Sequence, residues 1–376
     1  EIKRPFFLHI CFVLIAFLFI GTCIRGGWQE RPIDWGHAMF SNNKLANQTA
    51  LNPLFNLSRS IIQLYSEKNI SKLIHFMDEE DAFLISKNMI LSSNEYYLDS
   101  TTYKRKIKNP ISIKPNIVLI VLESFLGSYC GFINPNNKDV TPNLNKFADR
   151  GINFIKTFAS GKRSAYGLSS ILCSWPVLPG YPLISQTKSQ KNVETLGTLL
   201  KNIGYSNYFI FGGDADFDNM KGFVISNGFD KVIEQEDFPT NTPGTMWGVF
   251  DEYLFNYAEN ILDTAKAPSL ITIFTITNHQ PWEIPKDKYN LIPEYLDNNR
   301  NPKILRTMAY TDYVIGQFIN KNETKTWFDN TIFVFISDHG INEYKGMHED
   351  PRNAHIPFII YSPSIISNPQ IINSIA

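Results

Sequence analysis

The chain has 376 residues and a formal net charge of -1, so it is long enough for one large domain with additional segments. A near-neutral charge argues against a nucleic-acid-binding protein, because such proteins carry a basic stripe or patch. The four cysteines lie far apart and form no CxxC pair, so neither a zinc site nor a disulfide framework is indicated.

The first element in chain order is an apolar segment. Residues 5–24 contain no acid and no Lys or Arg, and about 20 apolar residues suffice to span the hydrocarbon core of a bilayer. We therefore expect a transmembrane helix at 5–24 rather than a signal peptide, whose apolar core would be shorter. Lys3 and Arg4 favour a cytoplasmic flank at 1–4, with the polar remainder outside the cytoplasm.

The next part of the chain, residues 25–112, is predicted to be a juxtamembrane helical linker, because amphipathic helical patterns fill much of it. The first residue is Glu1 and the last stretch, "NPQIINSIA", contains no closing element. We therefore expect that a longer protein has been trimmed at both ends, and that the C-terminal domain is truncated.

From residue 113 to 376 the character changes to apolar runs separated by helical patterns. "NIVLIVLES", "YSNYFIFGGD", "LITIFTITNH", "TIFVFISDHG" and "HIPFIIYSP" are typical of strands buried on both faces of a sheet. Alternating strands and helices predict an α/β domain with a mainly parallel central sheet flanked by helices.

Acids and histidines follow directly after several of these strands: Glu123, Asp214, His279, Asp338 and His339. In open α/β sheets, sites form at the carboxyl ends of the strands. We therefore expect these side chains to converge with the hydroxyl of Ser164, which is the makeup of a metal site with a nucleophile. Ordinary turn or surface positions are the alternative for each of them.

Ser164 stands in "SGKRSAYGLSS", after Lys162 and Arg163 and before a helical pattern. The stretch is compatible with a simple helix cap, or with a nucleophilic hydroxyl at a helix N-terminus in a field that favours an anion. Oxygen and nitrogen ligands suit Mn²⁺, Mg²⁺ or Zn²⁺, and residue types alone do not choose among them.

Six ordered motifs resemble the lipoteichoic acid synthase group of the sulfatase and alkaline phosphatase superfamily: "NIVLIVLES", "TPNLNKFADRGINF", "SGKRSAYGL", "FGGDADFDNMKGF", "TNHQPW" and "FISDHG". The resemblance implies a membrane-anchored enzyme with one divalent metal, often Mn²⁺. Its ligands map to Glu123, Ser164, Asp338 and His339.

The resemblance also implies substrate contacts. His279 matches the substrate-contacting histidine of the family, and His355 resembles a second histidine that related phosphoethanolamine transferases place near the metal. His355 precedes a strand and does not follow one, so its position alone predicts a structural role. Asp218 and Met220 stand near the places where the synthases carry the Trp and Arg that grip glycerol phosphate. Because that Trp and Arg are lacking here, glycerol phosphate is not fixed as the transferred group. The chain also has Ser164 where those synthases usually have threonine, but a serine has the same hydroxyl chemistry.

The resulting hypothesis is transfer of a phospho-head group, of phosphoglycerol or phosphoethanolamine type, from a membrane phospholipid to an extracytoplasmic glycan or lipid acceptor. Ser164 is the predicted nucleophile, and Lys162, Arg163, His279, His355 and Asp218 are the predicted substrate contacts. The expected location is the bacterial inner membrane, and no nucleic-acid partner is expected.

Three alternatives stay open. A sulfatase would need a C/S-x-P-x-R stretch, which is absent around Ser164 and Cys173. A phosphodiesterase would differ from the hypothesised transferase only in that water, and not an acceptor alcohol, reaches the phosphoserine intermediate. A catalytically silent membrane lipid sensor would need none of the four metal-ligand residues.

Overall fold

The computed structural model describes residues 6–26, 28, 38, 44–73, 76–108, 113–178, 180–186, 189, 193–291, 301–344 and 350–375. The helices are α1 (Phe6–Arg25), α2 (Lys44–Ala50), α3 (Pro53–Leu73), α4 (Glu79–Ile90), α5 (Pro142–Arg150), α6 (Ser164–Cys173), α7 (Leu196–Lys201), α8 (Met220–Ser226), α9 (Asp251–Thr264) and α10 (Pro302–Asn322).

The strands, in chain order, are β1 (Glu95–Tyr97), β2 (Arg105–Ile107), β3 (Asn116–Leu122), β4 (Ile152–Phe154), β5 (Thr157–Phe158), β6 (Ser206–Phe211), β7 (Lys231–Ile233), β8 (Gly244–Thr245), β9 (Gly248–Val249), β10 (Ser269–Phe274), β11 (Thr331–Ser337), β12 (His355–Ile356), β13 (Phe358–Tyr361) and β14 (Gln370–Ile372).

The segment predicted to span a membrane forms α1, and the predicted flank at 1–4 lies outside the described residues. Crossing a bilayer requires both sufficient length and sustained apolarity. Over the part of the chain that the structure describes, no helix meets both requirements. The structure therefore does not confirm the predicted transmembrane helix at 5–24.

The interval 25–112 contains α2, α3 and α4, and also an antiparallel hairpin of β1 and β2 that the sequence patterns do not predict. Buried Lys87 of α4 ties the hairpin to the helix. Its ammonium group donates to the carbonyls of Asp99 and Ser100 and lies 4.1 Å from the centre of the Tyr97 ring. This interval is therefore more than a run of helices.

The central sheet has eight strands in the order β14-β4-β13-β11-β3-β10-β6-β7. β3 pairs in parallel with both β10 and β11, and β6 pairs in parallel with β10 and β7. β13 is antiparallel to both of its neighbours. The prediction of a mainly parallel sheet flanked by helices is confirmed.

The alternating side chains of β3 explain why its sequence is almost continuously apolar. Val118, Ile120 and Leu122 pack into a hydrophobic cluster with α5, α9 and α10. Leu119 and Val121 pack into a second cluster with α6, α7 and α8. Because helices cover both faces, the side chains from Ile117 to Leu122 are all apolar.

The N-terminus of α5 is held by a carboxylate from another helix. Asp312 of α10 is fully buried and accepts hydrogen bonds from the backbone N–H groups of Asn143 and Leu144, at 3.0 and 2.8 Å. Free N–H groups at a helix start require acceptors. Thr141 precedes the helix, but its side chain makes no capping bond, because Asp312 fills that role.

Candidate active site

Glu123 follows the last residue of β3 and is only 4% exposed. Its position is fixed from both sides, because its N–H donates to the hydroxyl of Thr275 and its carbonyl accepts from the Asn278 amide. Ser124 has a φ of 56°, a left-handed conformation that is uncommon for a residue with a side chain. This turn ends the strand and brings the Ser124 hydroxyl within 2.6 Å of the Glu123 Oε1 acceptor.

Asp338 and His339 follow the end of β11, the parallel neighbour of β3. Asp338 is 1% exposed, and its Oδ1 accepts from the N–H groups of Ser124 and His339 at 2.9 and 2.7 Å. Its Oδ2 is buried and has no hydrogen-bond partner among the described residues. A buried carboxylate oxygen without a partner is costly unless a cation or proton occupies the site.

The His339 ring is oriented by its own loop. Its Nδ1 lies 2.7 Å from the carbonyl oxygen of Gly340, so we assign the Nδ1 proton to that hydrogen bond. This assignment leaves the Nε2 lone pair facing Asp338 Oδ2 at 3.4 Å and Glu123 Oε1 at 3.9 Å. A histidine that donates through one nitrogen and binds through the other is the usual arrangement of a metal ligand.

Ser164 is the first residue of α6 and is half-buried. Its hydroxyl donates to Glu123 Oε2 over 3.2 Å. Gly167, one turn further on, lies so close to Asp338 that a Cβ there would overlap the Asp338 backbone carbonyl. The absence of a side chain at Gly167 thus lets the start of α6 approach the loop after β11.

The electrostatics of the cluster favour positive charge. Burial and the neighbouring Asp338 carboxylate raise the pKa of Glu123 to about 8. Burial opposes protonation of His339, but the carboxylates of Asp338 and Glu123 outweigh it and raise the pKa of the imidazole. Ligand atoms of Glu123, Asp338 and His339 all lie within 4.8 Å of one another, so these three residues can hold one metal ion.

Two cavities flank this cluster. The small cavity has a volume of about 40 Å³, and its lining includes Glu123, Ser164, Phe217, Asp218, Trp247 and His279. The wide groove has a volume of about 1190 Å³, and its lining includes Lys162, Tyr166, Trp282, Asn301, His339 and Glu343. Ser164 and His339 therefore lie between a confined space and an open one.

The predicted substrate contacts are divided between these spaces. His279 and Asp218 line the small cavity, and Lys162 lines the wide groove. Arg163 is largely exposed, and its Nη2 lies 3.0 Å from Asp218 Oδ2. This ion pair joins the residue before Ser164 to the segment that borders the small cavity.

His355 is engaged elsewhere. Its Nε2 lies 2.9 Å from the carbonyl oxygen of Ile155, and its ring stacks on Phe158 with 5.1 Å between centroids. It is absent from the described group of potential metal ligands and from the linings of both cavities. Its role as a substrate contact stays a prediction.

Several residues that shape the site were missed by the sequence analysis. Ser124 bonds two acids of the cluster, Asn278 holds the Glu123 carbonyl, and Trp247 reaches the small cavity from the loop between β8 and β9. Gly213 permits this approach, because a Cβ there would overlap the Trp247 carbonyl. The "GGD" stretch was a signal for such a close approach, whereas Trp247 has no local signal.

Comparison with known proteins agrees with this architecture. A model of the Sulfatase family matches residues 115–375. The lipoteichoic acid synthase-like YvgJ of Bacillus subtilis is 26% identical over 271 residues, covering 66% of this chain and 43% of that protein. Phosphoglycerol transferase I of Citrobacter koseri is 26% identical over 270 residues, covering 67% of this chain and 34% of that protein. The chain thus spans less than half the length of these curated relatives.

Solved structures give the same picture. A protein of the alkaline phosphatase superfamily from Vibrio parahaemolyticus has a TM-score of 0.64 and 31% identity, over 70% of this chain and 64% of the other. The lipoteichoic acid synthase LtaP of Listeria monocytogenes has a TM-score of 0.62 and 23% identity, over 70% and 69%, and this likeness shows the fold. Because the family model matches well over half of the sequence, the chain belongs to the Sulfatase family.

Proposed function

We propose that this chain is a metal-dependent transferase that moves a phospho-head group from a membrane phospholipid to a glycan or lipid acceptor through a phosphorylated Ser164. The observation that carries the proposal is the Ser164 hydroxyl at 3.2 Å from the buried Glu123 carboxylate, beside the Asp338 and His339 ligands. The names of the relatives, a synthase-like protein and a phosphoglycerol transferase, support head-group transfer.

Glu123, Ser164, Asp338 and His339 would hold one divalent cation, for which Mn²⁺ is our first choice and Mg²⁺ or Zn²⁺ the alternatives. The unpartnered Asp338 Oδ2 and the available His339 Nε2 fit such an ion. When bound, the ion would neutralise phosphoryl charge and favour the ionised form of the serine hydroxyl.

In the first step, Ser164 Oγ forms a bond to the phosphorus of the lipid while the bond from phosphorus to the diacylglycerol oxygen breaks. The serine loses its proton, and the diacylglycerol oxygen takes up a proton as it leaves. The N-terminus of α6 favours negative charge at this position, because the helix dipole is positive there. In the second step, an acceptor hydroxyl displaces Ser164, which regains a proton.

Further positive charge lies close to the nucleophile. Lys162 lines the wide groove, and Arg163 directly precedes Ser164. Cationic groups near a phosphoryl centre stabilise the charge that develops during transfer. His279 lines the small cavity beside Ser164 and Glu123 and can contact the phosphoryl oxygens from that side. With a membrane phospholipid as the donor, the proposed location of the reaction is the outer face of the bacterial cell membrane.

The test is intact-protein mass spectrometry after incubation with phospholipid vesicles and Mn²⁺, without an acceptor. We expect a mass increase on Ser164 that corresponds to the phospho-head group, and no increase in Ser164→Ala. Ser164→Thr retains a hydroxyl and is expected to retain the adduct. An unmodified wild-type protein that still releases diacylglycerol, or an active Ser164→Ala variant, would refute the phosphoserine route.

A further inference from the structure

We infer that the small cavity holds the part of the head group that stays attached to phosphorus, and that its lining selects a short ammonium-bearing head group, as in ethanolamine phosphate, over glycerol. This inference rests on the proposed transfer through Ser164. It assigns a substrate class to a cavity whose residues border the nucleophile.

The two cavities differ in the way that a two-step transfer requires. The alcohol that leaves in the first step and the acceptor that enters in the second occupy the same side of the phosphorus, opposite the nucleophile. Diacylglycerol and a glycan or lipid acceptor are bulky, and only the wide groove of about 1190 Å³ suits them. The retained group is small and is present in both steps, which suits the confined cavity of about 40 Å³.

The walls of the small cavity are mainly apolar and aromatic. Besides Phe217 and Trp247, they include Phe211, Met220, Phe274 and Ile276. The Trp247 ring lies 4.1 Å from the His279 ring and 6.3 Å from the Phe217 ring, centroid to centroid. Aromatic faces, those of Trp above all, attract alkylammonium groups through the ring quadrupole.

Besides the Glu123 carboxylate of the proposed metal site, Asp218 adds a negative charge to this lining. Asp218 has a φ of 50° in the segment before α8, and both of its oxygens lie within 3.3 Å of Arg163 Nη2. A carboxylate has about four acceptor positions, so Asp218 can also accept from an ammonium group. Among the described lining residues of the small cavity there is no Lys or Arg.

A glycerol group suits this space less well. Its two free hydroxyls lose their water on entry, and each needs a hydrogen-bond partner to avoid the cost of an unsatisfied polar group. Phe211, Phe274 and Ile276 offer no such partners, and two of the polar side chains on the lining, Glu123 and Ser164, belong to the proposed reacting centre. An ethanolamine group presents two methylenes to the apolar wall and one charge to the carboxylate and the rings.

The test compares two vesicle preparations, phosphatidylethanolamine and phosphatidylglycerol, each diluted to the same fraction in phosphatidylcholine, with the full chain and Mn²⁺. The readout is the initial rate at which each head-group phosphate appears on Ser164 by mass spectrometry. We expect the ethanolamine adduct to form faster by on the order of tenfold, as one cation–π contact and one charge pair would give.

Two variants test the lining itself. Asp218→Asn and, independently, Trp247→Leu are each expected to lower the ratio of the two rates severalfold. We compare the ratio of the two rates because loss of the ion pair between Asp218 and Arg163 can slow both reactions alike. Such a general slowing would leave the ratio unchanged. Asp287→Asn, at an exposed carboxylate on neither lining, is the matched control and should leave the ratio unchanged.

Equal rates, or faster formation of the glycerol adduct, would overturn the ammonium assignment and leave the phosphoserine route intact. An unchanged ratio in both lining variants would also overturn it, because the preference would then arise elsewhere. If neither lipid modifies Ser164, the proposed transfer fails and the assignment fails with it.

Discussion

Ser124 has no chemical step of its own, yet it touches two of the proposed ligands. Its N–H donates to Asp338 Oδ1, and its hydroxyl donates to Glu123 Oε1. Its φ of 56° makes both contacts geometrically available, although such a conformation costs on the order of 1 kcal/mol. A residue that holds two ligands in register lowers the rearrangement needed on metal binding.

We therefore predict that Ser124→Gly weakens metal binding while the fold is kept. Glycine accepts the positive φ and retains the N–H, so only the hydroxyl contact to Glu123 is lost. Loss of a hydrogen-bonding partner of a ligand lowers metal affinity by roughly 10- to 100-fold, which Mn²⁺ titration calorimetry measures. Ser364→Gly, at an exposed position, serves as the control, and equal affinities in the two variants would contradict the prediction.

Some residues of the site could be predicted from the sequence, and their neighbours could not. Glu123, Asp338 and His339 were predictable because each follows an apolar strand whose end faces a common edge. Ser124 was not, because its contacts depend on a backbone conformation that no local pattern specifies. Trp247 was not, because it reaches the site only through the close contact with Gly213.

Among the elements, α6 brings the nucleophile into place. It begins at Ser164 and packs with Ala165, Leu168 and Leu172 in the second hydrophobic cluster. Gly167 lies on the side that faces the loop after β11, against the Asp338 carbonyl. The distance between the proposed nucleophile and the metal ligands therefore depends on the absence of a side chain at position 167 of α6.

We predict that Gly167→Ala displaces α6 and slows modification of Ser164 by on the order of a hundredfold, since a shift of about 1 Å at a reacting group has such effects. The rate of adduct formation on phospholipid vesicles measures it. Ser170→Ala, on the same helix and half-buried, is the matched control. A Gly167→Ala variant with the wild-type rate would show that the close contact is dispensable.

The helices and strands themselves were mostly predictable. β3, β6, β10 and β11 appear where continuous apolar runs predicted buried strands. The stretch "HIPFIIYSP" differs, because Pro357 separates β12 from β13 and β12 pairs with β5 instead of the central sheet. Proline has no N–H for the ladder, but its effect on the choice of partner strand depends on tertiary contacts.

Taken as a whole, the molecule gathers its proposed ligands from distant parts of the sequence, near residues 123, 164 and 338. An ion that binds only this arrangement stabilises the folded state by mass action, by about 2.7 kcal/mol at a hundredfold excess over Kd. We predict that Mn²⁺ raises the Tm by a few degrees in thermal unfolding.

The matched variant is Asp338→Asn, which removes one carboxylate charge at the position of the unpartnered oxygen. In this variant the rise in Tm is expected to vanish or become much smaller, because the ligand charge that compensates the ion is reduced. The same rise in both proteins would mean that Mn²⁺ binds at another place on the chain.

The pairing of β11 with β3 has a consequence for biosynthesis. Glu123 is synthesised more than two hundred residues before His339, and the register between these strands sets them side by side. A nascent or partly folded polypeptide therefore presents an isolated serine at 164 with no ion beside it. If Ser164 reacts with membrane lipids as proposed, that reactivity begins only after β11 has paired with β3, so a late folding step completes the site.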